Sequence, residues 1–292
     1  MALGAIEAGG TKVVCAVRDE DGHERARARV PTTTPEATVA EVARFFGPHR
    51  VRAVGLASFG PLELDRRAGQ RYGALLATPK PGWSDFALRA SLELALGAVV
   101  HVETDVNAAA LAEHGLGAGR GADPLVYVTV GTGVGGGAVV RGVALHGLVH
   151  PEMGHVPMPR LALPDGTLDP FDGACPFHRR CLEGLVSGPA IAQRTGTHAH
   201  ELGDDDPVWE LVAGYLALGM ATLTLVLSPE RIVMGGGVMR RARLLERVRV
   251  ALRRSLAGYV PRDVIATDDF LVAPALGEDA GLEGAFLIAS RG

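Results

Sequence analysis

Glu7-Ala8-Gly9-Gly10-Thr11-Lys12 and Gly131-Thr132-Gly133-Val134-Gly135-Gly136-Gly137 are the two stretches whose reading decides the fold. Each lies between runs that read as β-strands, residues 4–6 and 13–17 around the first, 125–130 and 138–141 around the second. A glycine turn lets backbone N–H groups converge on an anion without interference from Cβ atoms. Two such hairpins, in halves of similar size, predict a nucleotide phosphate chain gripped from both sides of a cleft. That is the hardware of an ATP-dependent phosphotransferase.

The familiar phosphate loops do not fit. A Walker loop places Lys-Ser/Thr before a helix, whereas here Lys12 follows Thr11 and leads into Val13-Val14-Cys15-Ala16-Val17, a β-branched run that reads as a strand. The second stretch formally matches the dinucleotide fingerprint, with Gly131, Gly133 and Gly136 in register and Glu152 near the place of the ribose-binding acid. The chain continues, however, as Gly137-Ala138-Val139-Val140-Arg141-Gly142, a poor helix start. A Rossmann site needs a helix N-terminus under the pyrophosphate, so this reading is set aside.

The 292 residues suit one two-lobed domain or two ordinary ones, and 47% hydrophobic against 21% charged residues predicts a filled core. A net charge of −4 gives no electrostatic reason to expect nucleic acid or an anionic membrane as partner. Residues 240–254 carry seven arginines, but Leu244, Leu245, Val248 and Leu252 recur at helical spacing, which predicts a solvated helix face. The apolar run 208–228 has the length of a membrane span; Glu210, the start signal Asp206-Pro207 and the stop Ser228-Pro229-Glu230 predict a buried helix of a soluble protein instead. Three cysteines, an odd count, argue against a disulfide framework and point to the cytoplasm.

Along the chain, strands are expected at 25–30, 51–57, 99–103, 231–234 and 271–273 besides the hairpins. Helices are expected at 35–46, 84–96, 108–116, 187–194, 207–227 and 278–290, with an irregular stretch over 151–180. Alternating strands and helices make the class α/β. The repeated hairpin start suggests a duplication in which the halves share topology more than residues.

Cys175-x-x-His178-x-x-Cys181 is the most specific chemical signal, because one turn can present three ligands of a tetrahedral zinc. The segment around it is rich in proline (Pro157, Pro159, Pro164, Pro170, Pro176), and a metal clip would fix its shape. His155, His150 and His146 compete as fourth ligand, and a full protein ligand set would make the zinc structural. Asp105, at a strand-to-helix turn, is placed either to accept a hydroxyl proton during phosphoryl transfer or to cap the following helix. Glu152, His155 and Glu183 are candidates for contacting a polyol. Gly235-Gly236-Gly237, after the strand Ile232-Val233-Met234, offers a flat backbone surface for an adenine ring or is an ordinary turn.

Taken together and in this order, the first hairpin, Thr104-Asp105-Val106-Asn107-Ala108-Ala109, the second hairpin, Glu152-Met153-Gly154-His155 and the Cys/His cluster resemble the ROK family of sugar kinases. Thr78-Pro79-Lys80-Pro81-Gly82-Trp83 and Cys181-Leu182-Glu183-Gly184-Leu185-Val186-Ser187-Gly188-Pro189 are similar to its fructokinase subgroup. The resemblance runs from residue 4 to about 240. It implies a two-lobed actin-like ATPase fold with ribonuclease-H-like lobes and a zinc-bearing loop. The implied lobes are 1–116, rejoined by a C-terminal helix at 278–292, and 117–277.

It also implies ATP, Mg²⁺ and structural Zn²⁺, a homodimer, and phosphorylation of a hexose, D-fructose to fructose 6-phosphate; the alternatives are a kinase for another hexose (mannose, glucose or N-acetylmannosamine) or a non-catalytic sugar-sensing protein. By motif, Asp105 matches the family's base, and Glu152, His155 and Glu183 match its sugar contacts. Gly10, Thr11, Lys12, Gly131, Thr132, Gly133 and Gly188 match the phosphate-binding segments, and Gly235 and Gly236 match the adenosine turn. His155, Cys175, His178 and Cys181 match the zinc ligands. Two departures stand out: Glu7 where many relatives carry Asp near Mg²⁺, and Thr104 where glucokinase-like relatives carry Asn, which removes an amide from the sugar's reach. Repressors of the family carry an N-terminal DNA-binding segment, for which a chain starting at the first hairpin leaves no room.

Overall fold

The computed structural model describes residues 2–78, 80–260 and 262–291; Pro79 of the 78–83 segment and both chain ends of the expected N-terminal lobe lie outside them. The chain divides into two units, Met1–Gly115 with Ala144–His150 and Leu276–Gly292, and Leu116–Val143 with Pro151–Ala275.

In unit 1, β1 (Ala2–Ala8), β2 (Lys12–Arg18), β3 (Glu24–Pro31), β4 (Val51–Ser58) and β5 (Val99–Thr104) form a sheet in the order β3-β2-β1-β4-β5. The first three run antiparallel as hairpins, and β4 and β5 are parallel to β1. Alternation along the strands splits their side chains between two apolar layers. Ile6, Val13, Cys15 and Leu56 pack with Val42 and Phe46 of α1 (Pro35–Phe46) and with Leu88 and Leu92 of α2 (Leu88–Leu96). On the other face Ala5, Val14 and Ala57 meet Ala108 of α3 (Asp105–Leu116) and Leu282, Ala285 and Phe286 of the C-terminal helix α9 (Ala280–Ser290). Burial on one of these faces pushes the Cys15 thiol up to about 12, which makes it an inert core residue.

Helix α1 begins where the sequence places it, with Pro35 in the first turn and the Thr34 hydroxyl accepting the Ala37 N–H at 3.4 Å. Helix α2 starts at Leu88, four residues after its expected start. The preceding residues are spent elsewhere: Ser84 Oγ donates to the Thr78 carbonyl at 3.0 Å, and Asp85 takes a φ of +59°.

Unit 2 holds β6 (Leu125–Val130), β7 (Val134–Val140), β8 (Val143–Ala144), β9 (Arg231–Gly235) and β10 (Leu271–Val272), ordered β10-β9-β6-β7-β8. β7 is antiparallel to β6, while β9 is parallel to it. The second glycine stretch is therefore not all turn: Gly135, Gly136 and Gly137 lie inside β7, and only Gly131-Thr132-Gly133 makes the bend. A strand after the glycines also removes the helix that a Rossmann site requires.

The helices of unit 2 are α4 (Leu182–Val186), α5 (Gly188–Thr195), α6 (Val208–Leu227), α7 (Leu244–Leu256) and α8 (Arg262–Ala266). By length and composition α6 could cross a membrane, but 56% of its most apolar window is buried in the protein. Helix α7 buries Leu244, Val248, Leu252 and Leu256. Arg253 and Arg254 are exposed as expected, whereas Arg247 and Arg249 are less solvated. Arg247 pairs with Glu210 at 3.1 Å, and Arg249 donates to the Leu271 carbonyl at 2.9 Å.

Candidate active site and metal cluster

The bend of the second hairpin is held from below by α5. The Gly188 N–H donates to the Gly131 carbonyl at 2.7 Å, and the Ser187 hydroxyl caps the helix at Ala190. Gly236 closes the neighbouring turn at φ +95°, where a Cβ would lie 2.4 Å from the Val130 carbonyl oxygen. No other residue type fits there. Beside these backbones lies a cavity of about 1040 Å³, whose wall includes Gly131, Thr132, Gly188, Trp209, Gly237 and Arg241. Arg241 stacks over the Trp209 ring at 5.0 Å and binds Asp204 at 2.8 Å. Of the expected nucleotide residues, Gly131, Thr132 and Gly188 line this cavity. Gly235 belongs to β9, Gly236 backs onto Val130, and Gly237 with Val238 forms that part of the wall.

The irregular stretch is seated on β7 through a glycine contact. A Cβ on Gly154 would fall 1.8 Å from the Val134 carbonyl oxygen, and one on Gly136 would fall 2.6 Å from Met153 Sδ. Both glycines are needed for the short turn Met153–His155 to lie flat on the strand. That turn sets the direction of Glu152 and His155. His155 Nδ1 lies 3.5 Å from Cys181 Sγ and 3.8 Å from Cys175 Sγ, and His178 Nδ1 lies 3.9 Å from Cys175 Sγ. One ligand atom from each of the four residues falls within 4.8 Å of the others. A tetrahedral zinc places S and N donors roughly 3.3–3.8 Å apart, so two thiols and two imidazoles at these distances fit the ion.

The competition for the fourth position is resolved by geometry. His155 is in the cluster, His146 pairs with Glu103 at 2.7 Å, and the His150 ring lies against Gly60. Burial pushes the Cys181 thiol up to about 11, the cost a bound cation would offset.

Cys181 also starts α4, its sulfur accepting the Gly184 N–H at 3.5 Å. Two residues on, Glu183 turns to the hairpin, and its Oε2 accepts the Val134 N–H at 3.0 Å. Sequence reasoning missed the second anchor of the loop. Asp169, 1% exposed, binds Arg194 at 2.6 Å and accepts the Tyr215 hydroxyl at 2.7 Å, and Phe171 lies under the Arg194 guanidinium. Burial pushes the Asp169 carboxyl upward, yet Arg194, Tyr215 and the Phe171 N–H outweigh it and hold it below its usual range. No local spacing announces this group, whose members come from three separate segments.

In unit 1, Gly10, Thr11 and Lys12 are exposed at the tip of the first hairpin, closed by the Gly9 N–H on the Lys12 carbonyl at 2.9 Å. Asp105 is the first residue of α3, and it is not the cap. The Thr104 hydroxyl takes that role, accepting the Asn107 N–H at 3.1 Å, while Asp105 Oδ1 accepts the adjacent Val106 N–H at 2.9 Å. The threonine that departs from the glucokinase-like pattern thus relieves the carboxylate of capping.

Behind it, Glu103 gathers the Thr104 N–H (2.8 Å), the Asn107 amide (3.0 Å) and His146 Nε2 (2.7 Å). The carboxylate holds the His146 pKa above its ordinary value. Glu7 is raised to about 7, chiefly by burial and next by the Asp105 carboxylate, with Lys12 opposing. Two acids with too little positive charge near them are suited to a divalent cation.

The profile of the ROK family matches residues 3–291. A fructokinase from Zymomonas mobilis is 42% identical over 295 residues, covering 98% of this chain and 95% of that protein. One from Pediococcus pentosaceus is 39% identical over 289 residues, covering 99% and 98%. A ROK family glucokinase from Streptomyces griseus, solved with glucose and AMPPNP, is 28% identical with a TM-score of 0.78 and full coverage of both chains. The expected α/β fold is the one the Streptomyces griseus structure shares, and this chain adds to it the Cys/His cluster described above. On a match spanning all but the first two residues and the last, the chain belongs to the ROK family.

Proposed function

We propose that the protein is an ATP-dependent fructokinase, transferring the γ-phosphoryl group to the 6-hydroxyl of D-fructose. The observation that carries this is the similarity of about 40%, over nearly the whole chain, to proteins named fructokinase. The nucleotide is assigned to the cavity beside the second hairpin, with Thr132, Gly131 and Gly188 at its phosphate end and Gly237 and Val238 on its adenosine side. The first hairpin, Gly10 to Lys12, supplies N–H groups and one cation to the phosphates.

Asp105 accepts the proton of the 6-hydroxyl as that oxygen bonds to phosphorus and the bond to the ADP oxygen breaks. The capping of α3 by the Thr104 hydroxyl and the place of Asp105 at the strand-to-helix turn support this role. Glu7 and Asp105 are the groups that would hold Mg²⁺ near the phosphates, where it would supply charge neutralisation. His155, Cys175, His178 and Cys181 would hold a zinc, and four protein ligands would make its role structural. Both sulfur contacts of His155 use Nδ1, which leaves Nε2 for a sugar hydroxyl together with Glu152 and Glu183.

Exposed apolar side chains such as Phe177 and Tyr259 leave surface for the expected second copy, and the enzyme is assigned to the cytoplasm. Likeness to the glucokinase favours a second reading in which another hexose, glucose or mannose, is phosphorylated by the same groups. Product analysis tests the assignment. The wild type with Mg²⁺, ATP and fructose should yield fructose 6-phosphate, and D105N should bind ATP yet fail to make it. Formation of fructose 1-phosphate, or D105N activity within tenfold of wild type, would overturn it.

A further inference from the structure

Lys80, from the stretch 78–83, has no part in the function described so far, and its side chain reaches the first hairpin. Lys80 Nζ lies 2.6 Å from the Gly10 carbonyl oxygen and 3.4 Å from the Thr32 carbonyl oxygen. It has no carboxylate partner among the described residues. The position is braced: Trp83 is fully buried, donates Nε1 to the Thr33 carbonyl at 2.8 Å, and packs edge-on against Phe59 and Phe86. The Thr78 N–H is bound to Ser84 Oγ at 3.1 Å, which closes the loop on itself. A long, mobile side chain is thereby delivered to one carbonyl at an otherwise exposed tip.

The peptide between Gly10 and Thr11 is trans, so its carbonyl and its N–H point in opposite directions. An ammonium on the carbonyl withdraws electron density and strengthens the N–H on the far side as a donor, because hydrogen bonds in a chain polarise one another. We infer that Lys80 is a positioning residue for phosphate binding: its ammonium fixes the Gly10 carbonyl and presents the Thr11 N–H, polarised, to an anion. The inference rests on the reading of the first hairpin as a phosphate loop. It adds a cation that acts through the backbone, distinct from Lys12 at the tip.

The test compares K80M, K80Q and K80R by affinity for AMPPNP and for AMP with Mg²⁺, and by KM for ATP and for fructose. K80M should weaken AMPPNP and raise the ATP KM roughly 10-fold or more, the scale of one charge-assisted hydrogen bond. AMP affinity and fructose KM should stay within twofold. K80R should restore part of the loss, whereas K80Q, which keeps a donor without the charge, should not. AMPPNP affinity unchanged in K80M, full recovery in K80Q, or an effect confined to fructose would overturn the inference. Should K80M fold poorly, K80Q against K80R decides by itself. Because binding is read without turnover, a wild type that binds AMPPNP in a Lys80-dependent way but phosphorylates no sugar would overturn the kinase reading and leave this one standing.

Discussion

The Glu183 carboxylate accepts the Val134 N–H at 3.0 Å, joining the helix that Cys181 caps to the strand that leaves the second glycine bend. The Cys/His cluster and the second hairpin are thereby mechanically connected within unit 2. Glu183 Oε1 has no protein partner among the described residues, which supports the proposal that it contacts the sugar.

E183Q keeps an acceptor for Val134 but removes the charge. It should raise the fructose KM roughly 10-fold, within the range of a hydrogen bond to a charged group, and leave the ATP KM nearly unchanged. E183A, which abandons Val134 as well, should raise both. Steady-state kinetics of the pair check this, and an E183Q enzyme indistinguishable from wild type would remove Glu183 from the sugar site.

Chelation of the zinc should free the 151–181 segment to proteases and, through Glu183, weaken ATP binding. Limited proteolysis with and without chelator reads the first effect and nucleotide titration the second. Identical cleavage in both states would show that packing alone holds the loop.

The loop's other anchor is the buried carboxylate of Asp169. D169A leaves Arg194, 10% exposed, without its partner, which should cost about 3–5 kcal/mol in urea unfolding of zinc-loaded protein. A loss below about 1 kcal/mol would mean that the Phe171 ring and water satisfy the guanidinium.

Glu7 predicts a pH dependence. Its folded pKa of about 7 lies above the ordinary 4.5, so the native state binds the extra proton between these values. Stability from this group therefore falls as pH rises from 4.5 through 7. E7Q should match the wild type near pH 5 and exceed it near pH 8 in Mg²⁺-free thermal melts. The same difference at both pH values would show that Glu7 does not titrate in this window.

Much of the fold was legible because its signals are local. Pro35 with Thr34 marks the start of α1, and the spacing of Cys175, His178 and Cys181 gives three of the four cluster ligands. What was not legible depends on distant partners. Gly135, Gly136 and Gly137 look like a turn in sequence, and only Met153 and Gly154 lying on β7 explain why they are strand. The late start of α2 follows from the Thr78 and Ser84 hydrogen bonds, which no propensity reports. Whether Asp105 serves as a base or as the cap of α3 was undecidable from a residue type that favours caps, and the Thr104 bond to Asn107 that answers for the cap was not anticipated. Glu103 and His146, 43 residues apart, left no trace at all.

T104A separates the two roles at that corner. Loss of the cap should cost about 1 kcal/mol of stability while D105N costs little, and D105N should lose 10²–10⁴-fold in turnover, roughly the scale of general-base catalysis. Unfolding curves and kcat for both variants check this. A D105N protein destabilised as much as T104A would return Asp105 to a capping role.

The most direct test of the central claim is Mg²⁺-dependent ATP turnover, coupled to product detection, with fructose, mannose, glucose and N-acetylmannosamine on zinc-loaded protein. A kcat/KM highest for fructose is the predicted result. Turnover led by another sugar would contradict the substrate assignment, and no turnover with any of them would contradict the kinase itself.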